Sequence, residues 1–369
     1  MQYKVSIKRK CYLLSVLLMT VWLTGCVQEE FESTPSPAGN GIRFTLTVPD
    51  VNLPSVSSRT MTGTGTAKKE DEIETVDILV FDMSKTPAVF LEWVSATGVT
   101  QDLADNSTVS FSAVLSPTTA STCIVVVANK ELDNIVSGFT KGATTKVEAM
   151  EKMLHTQTGK WLADGSTTGG YTRIPMYGEK VISKITPSMD PITGINMKRM
   201  LARIDIRNNS ATSNFTVEEV YLANYNTTGY IAPAWNTNGQ VTDPVPDTPV
   251  LPAGSGKMTE EGDAILYSVN GNTPYDGEIY TFESLSAEDA GGAGADGEAS
   301  RKDATCLIVK GRIGTGESTF YRVDFTKNGN TGEQVEYLPL KRNHKYIITI
   351  TQALGTGYKS FSEALASYT

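Results

Sequence analysis

The chain has 369 residues, of which 40% are hydrophobic and 20% are charged, and its formal net charge is -9 at pH 7. This length allows two domains of ordinary size, and the composition is typical of a globular protein without bulk disorder. The acidic balance argues against a nucleic-acid partner, because such a partner calls for a clustered basic face, and no basic cluster follows the first residues.

The first 25 residues predict an export signal. A basic start, residues 4–10, precedes an apolar run at residues 11–23 that is too short to span a membrane as a helix. The run ends in Leu23-Thr24-Gly25-Cys26, which has the form of a lipoprotein cleavage site. Cys26 is therefore predicted to become the lipid-bearing first residue, and a cleaved signal without lipid is the alternative.

A strand is predicted shortly after the signal. Residues 27–40 are acidic and then rich in Pro and Ser, as in a flexible tether, and Pro49 and Pro54 end the stretch that follows. Within that stretch apolar and polar side chains alternate, the pattern of a half-buried strand. The side chains predicted to point inward are Ile42, Phe44, Leu46 and Val48.

The connection after this strand contains a candidate processing site, Arg59 followed by Thr60. The surrounding residues are rich in Ser, Thr, Gly and Pro, so the connection is predicted to be exposed to a protease. An exposed arginine in a loop is also commonly just solvated. From the residues alone, both interpretations stay open.

Short strands separated by turn residues fill the rest of the first half. One amphipathic helix is predicted at Lys146–His155, and Ile174–Gly178 is predicted to be an edge piece because Pro175 cannot donate to a central ladder. The predicted strands are Thr75–Asp82, Ala88–Val94, Thr108–Leu115 and Cys123–Ala128.

A boundary is predicted between Ser183 and Gly194, where prolines and glycine cluster, and a second set of strands follows it. These strands are Ile195–Arg207, Phe215–Asn224, Ala304–Gly311, Ser318–Phe325 and Tyr346–Thr351. Short strands at regular spacing with hardly any helix predict an all-β protein built of two antiparallel β-sandwiches.

No catalytic or metal-binding constellation is visible, so the chain is predicted not to be an enzyme and to need no cofactor. The two histidines, His155 and His344, fall in different predicted domains, and His155 is interpreted as a solvated helix end. Cys123 and Cys306 each lie in an apolar run, which favours buried free thiols over a bridge between them.

Several segments in the same order resemble the fimbrillins, the subunits of type V pili of anaerobic Gram-negative bacteria. The stretch Ile195–Ile206, with the sequence INMKRMLARIDI, resembles the start of the second fimbrillin domain. The other similar segments are Thr75–Asp82, Val125–Lys130, Ile174–Glu179 and Leu338–Tyr346.

The resemblance implies a precursor with four parts. These are a lipoprotein signal at 1–25, a propeptide at 26–59, and two transthyretin-like antiparallel β-sandwich domains with Greek-key character at 60–188 and 189–369. It also implies an outer-membrane lipoprotein, carrying a lipid such as palmitate on Cys26, that an arginine-specific protease cuts between Arg59 and Thr60. Removing the strand Ile42–Val48 would then open a groove for a strand of another fimbrial subunit, and the polymer would form an adhesive fimbria at the cell surface.

The position in the filament and the adhesion ligand stay open. Residues 357–369 look too short for the C-terminal donor strand pair of stalk subunits, so stalk, tip and anchor roles are all considered. The alternative function is a surface lipoprotein that does not polymerise, either an anchor subunit or a module that binds a glycan or a protein.

Overall fold

The computed structural model describes residues 41–48, 69–101, 108–163, 172–208, 213–256, 261–268, 275–290, 302–327, 336–353 and 355–367. Strands dominate these residues, which confirms the predicted all-β class. The first ten strands are β1 (Ile42–Thr47), β2 (Val76–Asp82), β3 (Val89–Ser95), β4 (Thr97–Gln101), β5 (Thr108–Ala113), β6 (Thr122–Ala128), β7 (Leu154–Thr156), β8 (Met176–Ile182), β9 (Ile192–Asn196) and β10 (Lys198–Arg199).

The second half continues the pattern with strands β11 (Ala202–Asn208), β12 (Phe215–Ala223), β13 (Thr228–Tyr230), β14 (Ile265–Ser268), β15 (Tyr275–Thr281), β16 (Cys306–Ile313), β17 (Thr319–Val323), β18 (Thr326–Lys327), β19 (Glu336–Tyr337) and β20 (Lys345–Ile350). Short α-helices lie among the described residues: α1 (Asp133–Val136), α2 (Lys146–Lys152) and α3 (Phe361–Ala366).

Two sheets face each other in the first half of the chain. One has the strand order β4-β5-β1-β9 and the other β10-β8-β6-β2-β3, and their facing apolar side chains form one core cluster. In the second half, sheets β15-β11-β20 and β14-β12-β16-β17 enclose a second cluster. Both pairs are sandwiches, and in each the first strand runs parallel to the last strand of its sheet and antiparallel to its other neighbour.

The central strand β6 has a nearly continuous apolar sequence because both of its faces are covered. All seven of its residues are buried, because one face packs in the first core and the other packs in a third cluster that includes Met200, Ile231 and Phe282 from later in the chain. A strand covered on both faces shows no alternation of apolar and polar residues.

One predicted strand, Ile195–Arg207, is wrong as a single element. The segment divides into the end of β9, the short β10 and then β11, with a break at Met200 and Leu201. Its two ends serve different sheets, because β10 pairs with β8 while β11 pairs with β15 and β20. Alternation alone could not show this change of partner, since the side-chain pattern continues through the break.

The predicted edge piece Ile174–Gly178 is also wrong. The strand begins at Met176, after Pro175, and it pairs with β6 on one side and β10 on the other. The missing N–H of Pro175 therefore lies outside the ladder and breaks no bond. Gly178 lies within this strand, where an added Cβ would lie 2.7 Å from the sulfur of Met197, so close packing accounts for the glycine.

The helix predicted at Lys146–His155 is confirmed in its first part. Thr145 caps α2, since its hydroxyl accepts from the Glu148 N–H at 3.2 Å while the Glu148 carboxylate accepts from the Thr145 N–H at 2.7 Å. The helix ends at Lys152, and the chain continues into β7, which pairs with β13. The domain boundary predicted at residues 188 and 189 stays a prediction.

Candidate functional site: strand β1 and the groove that holds it

Strand β1 lies inside its sheet and not at its edge. It pairs antiparallel with β5 over six consecutive residue pairs, from Ile42 opposite Ala113 to Thr47 opposite Thr108. On its other side it pairs parallel with β9, and the Met197 N–H donates to the Thr47 carbonyl at 2.9 Å. Taking β1 away would therefore leave two unpaired strand edges facing each other.

The four side chains predicted to point inward do so. Their exposed fractions are 3% for Ile42, 1% for Phe44, 0% for Leu46 and 3% for Val48, and all four belong to the first core cluster. The intervening residues point outward. The alternation in the sequence thus correctly identified the apolar face of the strand.

The groove around β1 has walls of different shape along its length. On the β5 side, Ala113, Phe111 and Val109 lie opposite Ile42, Phe44 and Leu46. The rings of Phe44 and Phe111 are stacked, with centroids 5.0 Å apart and an interplanar angle of 7°. This aromatic pair joins β1 to β5.

A β-bulge shapes the β9 wall. Ile192 pairs with Phe44 and Ile195 with Leu46, so three steps along β9 match two along β1. The extra residue is accommodated at Gly194, whose φ of 73° is in the left-handed region that favours glycine. Because of this bulge both isoleucines point into the core, where a regular strand would turn one of them away.

The apolar contacts of β1 set the energy available to a strand in this groove. Burying four such side chains at about 1.5–3 kcal/mol each contributes roughly 6–12 kcal/mol before the cost of ordering the strand. Paired edges on both sides add backbone hydrogen bonds. A strand of suitable sequence that replaced β1 would be held firmly.

Two predicted site positions, the processing site Arg59 with Thr60 and the lipidation residue Cys26, lie outside the described residues. Their roles stay predictions. The described chain leaves β1 at Val48 and resumes at a 3-10 turn, Lys69–Asp71.

This turn is held by two largely buried arginines, which the sequence did not single out. Arg203 pairs with Glu70 at 3.1 Å, and the Tyr280 hydroxyl donates to the same carboxylate at 2.9 Å. Arg199, only 3% exposed, pairs with Asp71. Burial, together with the charge of Glu70, raises the pKa of Tyr280 well above its usual value. The chain is thus anchored at Lys69–Asp71, downstream of the predicted cut.

Both histidines contact neighbouring parts of the fold. His155 is half-buried and packs against Trp161 and Phe282, with ring centroids 5.1 and 6.3 Å away, so its interpretation as a solvated helix end is wrong. Burial, reinforced by the charge of Lys130, lowers its pKa to about 4. The Nδ1 of His344 lies 2.9 Å from the Arg342 carbonyl, just before β20.

Cys123 and Cys306 are free and buried, as predicted, and burial raises the pKa of each thiol to about 12. Within the described ranges, no group of three or more His, Cys, Asp or Glu side chains could hold a metal ion. None of the helices in those ranges is long and apolar enough to cross a membrane.

Residues 42–216 match the family model of the major fimbrial subunit protein, FimA. Comparison with curated protein sequences gives no match. Among solved structures, the tip fimbrial protein Mfa3 from Porphyromonas gingivalis, with C-terminal truncation, is similar at 16% identity and a TM-score of 0.48 over 85% of this chain and 96% of that one. A putative cell adhesion protein from Parabacteroides distasonis is similar at 17% identity and a TM-score of 0.45 over 88% of this chain and 90% of that one.

Proposed function

Because residues 42–216 belong to the major fimbrial subunit family, the fimbrillins, we propose that this chain is a structural subunit of a cell-surface fimbria that polymerises by exchange of strand β1. The family is one of structural subunits and not of enzymes, and its members work at the cell surface. The finer steps, which are lipidation, cleavage and strand exchange, are the proposal.

The proposed sequence of events begins with export and lipidation of Cys26 at the outer membrane. An arginine-specific protease then cuts between Arg59 and Thr60, and β1 leaves its sheet. A strand of another fimbrial subunit enters the groove between β5 and β9 by β-augmentation. The assembled fimbria serves adhesion.

The observation that carries this proposal is the position of β1. It supplies four fully buried apolar side chains to the first sandwich, yet the only covalent link to the rest of that sandwich runs through the connection that contains Arg59. One cut there converts an internal strand into a separate peptide.

The anchoring of the 3-10 turn supports the same proposal. The ion pairs of Glu70 with Arg203 and of Asp71 with Arg199 hold the chain beyond the cut. The new N-terminal segment therefore stays attached at Lys69–Asp71, and β2 keeps its place in the facing sheet. The cut should free β1 without unfolding the rest of the subunit.

The closed groove of the uncut chain supports a second candidate function. With β1 in place, both walls of the groove are paired and its apolar side chains are covered. A copy that keeps Cys26 lipidated and escapes cleavage would be closed to incoming strands. Such a copy would act as an anchor subunit or as a binding lipoprotein that does not polymerise.

The experiment that tests the proposal compares Arg59→Ala with Arg43→Ala in the producing cells. Arg43 is the matched control, because it is an exposed arginine inside the paired strand β1, where a protease needs local unfolding. We expect wild type and Arg43→Ala to begin at Thr60 by N-terminal sequencing and to form a ladder on an unheated gel.

Arg59→Ala should instead begin at Cys26 and run as one band. A ladder formed by Arg59→Ala, or a wild-type surface protein that begins at Cys26, would contradict the proposal.

A further inference from the structure

We propose that the groove selects its incoming strand by an aromatic side chain at the second inward position, where Phe111 receives it. This inference rests on the proposed strand exchange. It adds what that exchange leaves open, namely the sequence that the groove prefers.

The first three inward positions of the groove are not equivalent. Opposite the first inward position lies the small Ala113, opposite the second lies the ring of Phe111, and opposite the third lies Val109. Only the second position offers a flat aromatic surface, and it is used by the Phe44 ring at 5.0 Å with nearly parallel planes. Both rings are buried, with exposed fractions of 1% and 3%.

The β9 wall reinforces this difference. Ile192 lies beside the second position and Ile195 beside the third, with the Gly194 bulge between them. Lys180 donates to the Thr193 carbonyl in the bulge, which holds its shape. A strand that slid by one pair of residues would keep its backbone bonds but would place its aromatic ring opposite alanine or valine.

The outward positions of β1 carry Arg43, Thr45 and Thr47, which are exposed or half-buried. They tolerate polar side chains and contribute no core contact. The structure therefore assigns the preferred partner as an extended strand with apolar residues at alternate positions, an aromatic residue at the second of them, and polar residues between.

The last described segment, 355–367, is already bound within its own subunit. The Tyr358 N–H donates to the Phe320 carbonyl at 2.8 Å, and Phe320 returns a bond of the same length from β17. Phe361, only 1% exposed, packs with Ala364 against Ala223, Cys306 and Ile308. These contacts hold the segment on the second sandwich.

The same segment also lacks the preferred pattern. Its alternate residues are Gly355, Gly357, Lys359 and Phe361, or Thr356, Tyr358, Ser360 and Ser362. Neither set has apolar residues on both sides of an aromatic one. The segment 355–367 is therefore not a match for the groove.

The test uses the full chain cut after Arg59 and two labelled peptides in excess. The first has the sequence of residues 41–48, GIRFTLTV. In the second, the phenylalanine and the leucine two positions later are exchanged to give GIRLTFTV. The two have the same composition and hydrophobicity. We expect the exchanged peptide to bind about 10-fold more weakly, since it loses the aromatic stack and its register.

A cut protein with Phe111→Leu should bind both peptides with similar affinity. If that variant does not fold, the comparison of the two peptides on the wild-type groove still tests whether the groove prefers an aromatic residue at the second inward position. Equal binding to the wild-type groove would overturn the aromatic selection while leaving strand exchange intact.

A further result bears on the proposal. If neither peptide enters the groove of fully cut protein, strand exchange itself fails and the inference falls with it.

Discussion

Strands β1 and β11 occupy the same place in their two sandwiches but are held in opposite ways. Each is the first strand of its sandwich and lies between an antiparallel and a parallel neighbour. Each begins with an apolar residue, an arginine and another apolar residue. Arg43 of β1 is exposed, whereas Arg203 of β11 pairs with Glu70 at 3.1 Å and with Asp205 at 2.8 Å.

The difference shows what makes a strand replaceable. The inward contacts of β1 are apolar and need only a strand of suitable shape, because the hydrophobic effect is not directional. The ion pairs of β11 need particular partners at particular places, and one of those partners lies in the turn Lys69–Asp71. A foreign strand could reproduce the first set of contacts but not the second.

The largest expected effect comes from the arginines. Arg203→Met leaves Glu70 and the fully buried Asp205 without this cation, so it should lower the free energy of unfolding of the uncut chain by about 3–5 kcal/mol. Arg43→Met changes an exposed side chain and should cost less than about 0.5 kcal/mol. Urea denaturation of both variants measures the contrast, and equal losses would remove the distinction between the two strands.

A second pair of variants tests whether β1 alone becomes dispensable. Leu46 and Ile204 are both 0% exposed and lie in corresponding strands. In the uncut chain, changing either to Ala should lower the free energy of unfolding by about 2–5 kcal/mol, because each leaves a cavity in a packed core.

Cleavage after Arg59 and release of β1 should separate these two variants. The cut Leu46→Ala protein should then match the cut wild type, since its altered residue has left with the strand. Cut Ile204→Ala should keep its full loss. A difference that persists between Leu46→Ala and wild type after release would mean that β1 stays bound.

The sequence predicts the apolar face of β1 but not the neighbours with which β1 and β11 pair. The apolar face of β1 follows from strict alternation over Ile42–Val48, and the structure confirms it. That β1 has neighbours on both sides does not follow, because pairing depends on β5 and β9, which lie far along the chain. The stacked pair of Phe44 and Phe111 is a result of that long-range register.

The ion pairs that Arg199 and Arg203 form with the turn Lys69–Asp71 could not be predicted from the sequence for the same reason. Arg199 and Arg203 lie at alternate positions of the single strand predicted at Ile195–Arg207, and nothing in that pattern indicates a partner for either. Their partners Glu70 and Asp71 come from a polar stretch about a third of the chain earlier. Local alternation cannot distinguish an arginine in solvent from one that pairs with a distant carboxylate.

The smallest expected effect is on pH dependence, and it also separates the two strands. His344, 8% exposed, precedes β20, and its carbonyl accepts the Arg203 N–H at 2.9 Å. Burial lowers its pKa below the ordinary 6.5; the nearby Lys341 and Lys198 lower it further, whereas the Arg342 carbonyl and Glu283 oppose the shift. The strands β1, β5 and β9 carry no residue that titrates near neutral pH.

As the pH falls below 6.5, the unfolded chain binds a proton at His344 before the folded chain does, so the folded state loses stability in that range. Amide hydrogen exchange should therefore quicken in β11 and β20 relative to β1 between neutral and mildly acidic pH, since local opening carries its own free energy. His344→Gln cannot take up this proton and should remove the relative change. If β1 amides quicken as much as those of β11 in wild type, His344 does not act on one sandwich alone.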